Sequence, residues 1–283
     1  MTGEKYIRKK SLYKRLKESK KIRATSTVIL PIALGAVIAV FWQKEILHKL
    51  FNTDTFTLPL LTKIVSIVSD NADKIIENSI STIIVAFCGL VFGCLLGYLV
   101  AVFATFKPRI GIGALSVVGA FASIPIVALS PVMNNWTKDI SSDAEIRSMI
   151  SKILVVALIS AANMCINAYR GLNELEPYAL DLMNMYVASG RVVFFKLRFK
   201  NSLPYVFVAL KVAVPAAIMS AIVSEYFAEY ITGVGRQIRE NIVLAQYSTA
   251  WAYIMAACFI GIVSYIVLMI IKSIVLKNYA KDV

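Results

Sequence analysis

The chain has 283 residues, of which 58% are apolar, and it carries a formal net charge of +13 at pH 7. Soluble domains contain about 45–50% apolar residues, and here the excess falls into blocks of about 20, the length of a membrane-spanning helix. The composition therefore excludes a soluble globular protein. The only histidine, His48, leaves little material for a metal site or a Ser-His-Asp triad, so we expect no metal and no catalytic residue.

The chain opens with a basic segment, residues 1–26, which contains 10 Lys and Arg residues. No small-residue cleavage pattern follows the first apolar block, so we expect that block to stay as a helix rather than leave as a signal peptide. We interpret residues 1–26 as a cytoplasmic tail that sets the orientation of the protein. Nucleic-acid binding is the alternative for a basic run, and the apolar helix that follows disfavours it.

Six apolar segments predict an all-α, multi-pass membrane domain over residues 27–276, followed by a cytoplasmic tail at 277–283. The six spans lie at about 27–42, 80–106, 112–132, 149–166, 204–223 and 250–275. The stretch Leu58–Val68 is too short to cross a bilayer, and we expect an amphipathic helix there.

The distribution of basic residues orients these spans. With the N-terminus inside, 20 Lys and Arg fall on the inner side and 9 on the outer side, and Lys211 lies within the fifth span. Cytoplasmic loops carry the excess of Lys and Arg, so we predict that both termini are cytoplasmic.

Two features within the spans have a structural and a functional interpretation. Gly89, Gly93 and Gly97 recur every four residues on one face of the second span, which predicts close packing of a neighbouring helix. Lys211 is a charge at membrane depth. Its long side chain could reach the inner interface or a structural partner, or it could lie near a transport pathway.

The segment between the fourth and fifth spans resembles the cytoplasmic signature loop of ABC importer permeases. That loop opens with Glu-Ala-Ala, contains a glycine, and ends in Leu-Pro. The residues here that occupy its positions are Asp181, Leu182, Met183, Val187, Ala188, Ser189, Gly190, Leu203 and Pro204. Val187 stands where the family has glycine, and Gly190 is a candidate for supplying the helix break instead.

Other segments resemble the same family in the same order. They are Ser123-Ile-Pro125 with Ala128-Leu-Ser-Pro131 and Trp136, then Ala209–Ala213, Ser224-Glu225 and Gly233-Val-Gly235. The resemblance covers roughly residues 55–276 and is closest to the nitrate, sulfonate and taurine branch, which includes permeases for vitamin precursors. It implies the type I ABC importer permease fold and a location in the bacterial inner membrane.

The chain has no GxxxxGK[ST] phosphate loop, so ATP must be bound elsewhere. The resemblance implies two ABC ATPase subunits that bind ATP and Mg²⁺, a second permease, identical or homologous, and an extracellular or periplasmic solute-binding protein. No cofactor is expected in this chain. We also expect it to contact the lipid bilayer and not to bind nucleic acid.

The signature loop has the pattern of a docking helix. Leu180, Met183 and Val187 recur at helical spacing, and we expect Asp181–Ser189 to form a short helix that seats this stripe in the ATPase. The alternative is that the stripe packs against the permease itself.

The resemblance places the solute pathway between two permeases, along the third, fourth and fifth spans. The polar candidates are Ser123, Asn134, Asn135, Asn163 and Ser220. Each could instead bond a backbone carbonyl within the bundle. Glu225, Gly233 and Gly235 are placed for an outer gate or for contact with the binding protein.

Two other classes compete with an importer. A membrane enzyme would need a cluster of ionisable or metal-binding groups at one depth, which the spans lack. A channel or secondary transporter would work without an ATPase and would favour acids within the spans.

Overall fold

The computed structural model describes residues 20–228, 230 and 232–279, with side chains described from 29 to 277. The described residues form helices and connecting turns without a strand. The chain divides into two compact units between Ser66 and Ile67. The tails predicted at 1–26 and 277–283 lie largely outside the described residues.

The first unit contains α1 (Lys20–Gln43) and α2 (Ile46–Phe51). His48 is buried, and its Nε2 lies 2.6 Å from the carbonyl oxygen of Leu58, so this histidine serves the local fold. The backbone N–H of Thr57 donates to Asp54 Oδ1 over 2.9 Å and holds the pKa of that carboxyl below its usual value.

The amphipathic helix expected at 58–68 is α3 (Leu61–Asp70), which begins in the first unit and ends in the second. Ile64 is its buried residue, while Val65 is 56% exposed.

Two long apolar helices form the centre of the second unit. They are α4 (Ala72–Phe106) and α7 (Ala144–Asn173). The α7 helix starts at an N-cap, because Asp143 Oδ1 accepts the N–H of Glu145 over 2.9 Å.

The predicted glycine face packs α4 directly on α7. A Cβ at Gly93 would overlap the backbone of Ala157, and one at Gly97 would overlap Ala161. The close helix packing predicted from the glycine spacing is therefore confirmed.

A third long helix, α9 (Phe199–Tyr226), packs against both α7 and α4, and a short α8 (Ala179–Met185) lies between α7 and α9 in the chain. After α9 come α10 (Val234–Val243) and the long α11 (Tyr247–Tyr279).

The third predicted span is broken rather than continuous. It consists of α5 (Pro108–Ala120), a 3₁₀ turn (Phe121–Ser123) and α6 (Ile126–Trp136), and the two parts are bent by 108°. Ile124 is extended because a following proline disfavours the helical conformation. Pro125 also has no N–H to continue the helix.

By length and composition, four of the described helices can cross a membrane, or five if the bent pair counts as one span. In the first unit the described apolar part of α1 is shorter, Ile29–Gln43. Helical segments therefore occupy all six predicted positions. The sides on which the termini lie stay a prediction.

Candidate functional site

The loop between α7 and α9 carries an exposed apolar face. Tyr178, Leu182, Met185 and Tyr186 are 81%, 53%, 81% and 78% exposed. Leu182 is four residues from both Tyr178 and Tyr186 and three from Met185, so the four lie on one side of α8. We call these four residues the α8 face. An apolar face left open to this extent is typical of a surface that binds another protein.

The α8 face differs from the stripe predicted from the sequence. The side chain of Met183 is half-buried, and that of Leu180 is 37% exposed. The helix ends at Met185 rather than at Ser189. Val187, the third residue of the predicted stripe, is 90% exposed and lies just beyond the helix. Docking of the stripe in the ATPase stays a prediction. Tyr178 precedes the helix in a left-handed conformation, with φ 64°.

Val187 ends this helical segment in a left-handed conformation, with φ 51°. The Ala188 N–H donates to the Met183 carbonyl over 3.0 Å, and the Val187 N–H donates to the Asn184 carbonyl over 2.9 Å. This is the Schellman arrangement, in which glycine usually takes the left-handed position. The geometry explains why a glycine suits the position aligned with Val187.

Gly190 does not supply the helix break. Ser189 is extended, and Gly190 begins a new helical turn, Gly190–Val192, that continues as a π-helical turn, Val193–Arg198, into α9. The Leu-Pro pair, Leu203 and Pro204, lies in the second turn of α9.

Two side chains that the sequence did not single out close the base of the loop. Arg198 Nη1 donates to the Leu172 carbonyl over 2.8 Å, and Asn201 Nδ2 donates to the Gly171 carbonyl over 2.7 Å. These carbonyls belong to the last turn of α7, where the helix itself supplies no N–H partner for them. The start of α9 is thereby fastened to the end of α7.

At the other end of α9 lies a cluster around Glu225, whose side chain is completely buried. Glu225 Oε2 accepts the Thr82 hydroxyl and the Gly235 N–H, each over 2.9 Å. Thr82 Oγ1 accepts the Val234 N–H over 2.9 Å, and Asn78 Oδ1 accepts the Gly233 N–H over 2.9 Å. The first N–H groups of α10 are thus capped by side chains of α4 and α9.

The Gly-x-Gly spacing follows from this capping. Gly233 has φ 97°, and a Cβ there would overlap the Glu225 carboxyl group. A Cβ at Gly235 would overlap the Ile222 carbonyl. Since Glu225 is enclosed, its carboxylate does not itself form a surface for a binding protein, and its direct role is to hold the start of α10.

The predicted pathway residues separate into internal and exposed groups. Ser220 is fully buried and donates to the Ala216 carbonyl over 2.6 Å, so it has no surface with which to line a pathway. Asn134 donates to the Phe227 carbonyl over 2.9 Å and accepts the Ser151 hydroxyl. Asn163 is half-buried and donates to the Ile159 carbonyl over 3.0 Å.

Ser123 and Asn135 are exposed. Ser123 ends the 3₁₀ turn at the break between α5 and α6. Backbone that leaves the helix at membrane depth is tolerated where it is buried in protein or lines a water-filled cavity. Ser123 lies at this break, and its place in a pathway stays a prediction.

Lys211 and Lys152 both lie within long helices and differ in burial. Lys211 of α9 is half-buried and interacts electrostatically with Lys272 of α11. Lys152 of α7 was not singled out from the sequence, yet it is 2% exposed. Only the packing of the bundle reveals its burial.

The long apolar helices, the bent pair and the exposed loop helix define a multi-pass membrane transport subunit. The chain belongs to the family of binding-protein-dependent transport system inner membrane components, which matches residues 89–281. It is an ABC transporter permease of the import type, and the family resemblance noted in the sequence is confirmed.

Two curated relatives are similar over about the same part of the chain. The formylaminopyrimidine transport permease protein ThiX of Halalkalibacterium halodurans is 24% identical over 186 residues, which are 65% of this chain and 70% of that protein. A probable ABC transporter permease protein of Haemophilus influenzae is 23% identical over 184 residues, 65% of this chain and 71% of that protein. Neither name points to the nitrate, sulfonate and taurine branch.

Solved structures share the fold. An amino acid ABC transporter matches with a TM-score of 0.56 at 18% identity, covering 76% of this chain and 97% of that one. The methionine ABC transporter MetNI, in inward-facing conformations, matches with a TM-score of 0.50 at 16% identity, and the match covers 70% of this chain and 94% of that one. The type I importer permease fold is confirmed.

Proposed function

We propose that this chain is the permease of an ATP-driven importer that works with two ABC ATPase subunits, a second permease and an external solute-binding protein in the bacterial inner membrane. The observation that carries the proposal is the α8 face, four large and exposed side chains on the loop that aligns with the ATPase-binding loop of the family. ATP and Mg²⁺ are held by the ATPase, since this chain has no phosphate loop.

The shape of the loop suits transmission of force. The α8 face projects from a segment whose base is tied to α7 by Arg198 and Asn201. A movement of the ATPase against α8 is therefore delivered to two long helices at once. Coupling of this kind needs a rigid connection between the partner surface and the spans.

For the solute we propose a small heterocyclic compound of the vitamin-precursor type. Of the solute classes suggested by the sequence resemblance, this one is supported by the name of the ThiX relative. Sulfonates and nitrate are the alternatives. Selection among them belongs largely to the binding protein, so the permease alone carries little information on the solute.

The proposal is tested by purifying the chain together with its ATPase and reconstituting the complex with the binding protein. Uptake of a labelled formylaminopyrimidine should require ATP and the binding protein. If the binding protein binds a sulfonate or nitrate instead, the proposed identity of the solute is wrong, and the proposed transport mechanism is unaffected. Uptake by the chain alone without ATP would favour a channel or secondary transporter and overturn the proposal.

A further inference from the structure

The end of α4 lies beside the segment that leads into α9. The ring centroids of Tyr98 and Phe199 are 6.4 Å apart, and those of Phe106 and Phe194 are 5.4 Å apart. The Tyr98 hydroxyl also lies 2.9 Å from the hydroxyl of Ser202. The two segments therefore run in opposite directions along each other. The turn after Phe106 consequently lies next to the residues that precede Phe194.

Positive charge is concentrated where these two segments meet. Residues 98–110 and 188–203 together contain six Lys and Arg residues and no Asp or Glu. Lys107 and Arg109 follow closely after α4, and Arg191 begins the segment that leads into α9. All three cations are exposed, and none of them forms an ion pair with another described residue. This end of the bundle therefore presents unpaired positive charge, which attracts anions.

Exposed apolar side chains border these cations. Phe106 and Phe195 are 54% and 63% exposed. Phe194 joins them, because its ring centroid lies 5.4 Å from that of Phe106 and 5.1 Å from that of Phe195. The α4 helix is long and apolar enough to cross a membrane, and it ends at Phe106. Cations and apolar side chains are thus mixed at the boundary of a span.

We name this surface the basic patch, and its residues are Phe106, Lys107, Arg109, Arg191 and Phe195. We propose that the basic patch binds an anionic phospholipid. The three cations hold the phosphate-containing headgroup, and the two phenylalanines contact the start of its acyl chains. Lys and Arg clusters beside a spanning helix attract anionic headgroups in this way.

A lipid fits the basic patch better than an acidic protein surface does. The cations directly follow a membrane-spanning helix, and the phenylalanines beside them supply contacts for acyl chains. The surface we assign to the ATPase is a different one, the α8 face. The lipid site goes beyond the proposed function and depends on neither the ATPase nor the solute, because it concerns residues of this chain and the bilayer.

The test compares two lipids with identical acyl chains, phosphatidylglycerol and phosphatidylcholine. Each is added at graded concentrations to the purified full-length permease in detergent, and native mass spectrometry gives the fraction of protein that carries lipid. The wild-type chain should bind phosphatidylglycerol about tenfold or more tightly than phosphatidylcholine. Equal affinity for the two lipids overturns the proposal.

Removal of the cations should abolish this preference. A Lys or Arg near an anionic lipid surface is worth about a fivefold change in affinity. Lys107→Gln alone should therefore weaken binding of phosphatidylglycerol about fivefold, and Lys107→Gln/Arg109→Gln/Arg191→Gln should weaken it by well over tenfold. Binding of phosphatidylcholine should stay unchanged. The single variant changes one exposed side chain, so the test remains decisive if the triple variant does not fold.

Two further variants separate a built site from a general effect of charge. Lys107→Arg/Arg109→Lys/Arg191→Lys keeps the charges and should retain the preference. Lys44→Gln/Lys49→Gln/Lys63→Gln removes three exposed cations elsewhere in the chain and should also retain it. Wild-type phosphatidylglycerol binding by the triple glutamine variant of the basic patch overturns the proposal, and so does an equal loss in the Lys44, Lys49 and Lys63 control. If the triple variant instead loses ATPase binding in lipid-free detergent and keeps phosphatidylglycerol binding, the partner is an acidic protein and the lipid site is wrong.

Discussion

Arg198 Nη1 lies 2.8 Å from the carbonyl oxygen of Leu172 and donates a hydrogen bond to it, which ties the π-helical turn before α9 to the end of α7. The same nitrogen donates to Asn173 Oδ1 over 3.0 Å, and Asn173 Nδ2 donates to Thr105 of α4 over 3.0 Å. Three long helices therefore share one polar junction at the base of the loop that carries α8.

Arg198→Ala should weaken this junction. Hydrogen bonds to charged groups contribute about 1.5–3 kcal/mol, and their loss should lower the melting temperature of the purified permease and reduce ATP-driven uptake more than it reduces ATP hydrolysis. Lys196→Ala is the control, because Lys196 is an exposed cation of the same π-helical turn. Equal effects of the two variants would show that the junction does not depend on Arg198.

Met185→Asp should disrupt binding of the ATPase without affecting insertion. Met185 is 81% exposed at the centre of the α8 face, and a charge in the centre of an interface costs about 2 kcal/mol or more. That cost corresponds to more than a tenfold rise in Kd, measurable by co-purification with the ATPase at graded concentrations.

Asn184→Asp is the matched control for Met185→Asp. It adds the same charge on the same short helix, and a separation of two residues from Leu182 directs it away from the α8 face. It should leave ATPase binding near the wild-type level. If Met185→Asp also binds normally, the α8 face is not the docking surface.

Much of the fold follows from sequence patterns that repeat along a helix. The apolar blocks predicted the long helices, and the spacing of Gly89, Gly93 and Gly97 predicted the packing of α4 on α7. These features depend on local periodicity and composition. The break at Ile124–Pro125 was missed because the apolar run continues through it, although the residue before a proline is biased away from the helix.

The site residues were harder to predict, because their roles depend on which side of a helix they occupy and on whether other helices bury them. Tyr178 takes a left-handed conformation before α8, and no local sequence signal marks a tyrosine for that conformation. The burial of Glu225 and Lys152 depends on helices that pack together only in the folded bundle. The sequence singled out Glu225 by its resemblance to the family but gave no sign that either side chain is buried.

Val187→Gly should stabilise the loop. A left-handed conformation costs an L-residue with a Cβ roughly 1–2 kcal/mol, and glycine removes that cost while adding some flexibility to the unfolded chain. We expect a net gain of about 1 kcal/mol, detected as slower proteolysis of the loop. Ala188→Gly, one residue further on and not in a left-handed conformation, should give no gain. Faster proteolysis of Val187→Gly would contradict this account of the Schellman turn.

The predicted orientation can be tested with single cysteines in the cysteine-free chain. Ser142 lies exposed between α6 and α7, and Ser142→Cys should react with an impermeant maleimide added to intact cells. Ser19→Cys, in the basic segment outside the described residues, should react only after the membrane is opened. The reverse pattern would invert the topology inferred from the basic residues.

Glycine substitutions at the start of α10 should disturb the Glu225 cluster sharply. Gly235→Ala places a Cβ against the rigid Ile222 backbone, and Gly233→Ala adds both an overlap with the Glu225 carboxyl and an unfavourable φ of 97°. Overpacking costs about 1–3 kcal/mol, and a strained backbone conformation adds a similar amount. Each variant should therefore lower the melting temperature and expose α10 to labelling.

Gly261→Ala in α11 is the control, since its Cβ would meet nothing within 4 Å, and alanine favours the helix by about 1 kcal/mol. Unchanged melting of Gly235→Ala would mean that α10 does not approach α9 as closely as the structure places it.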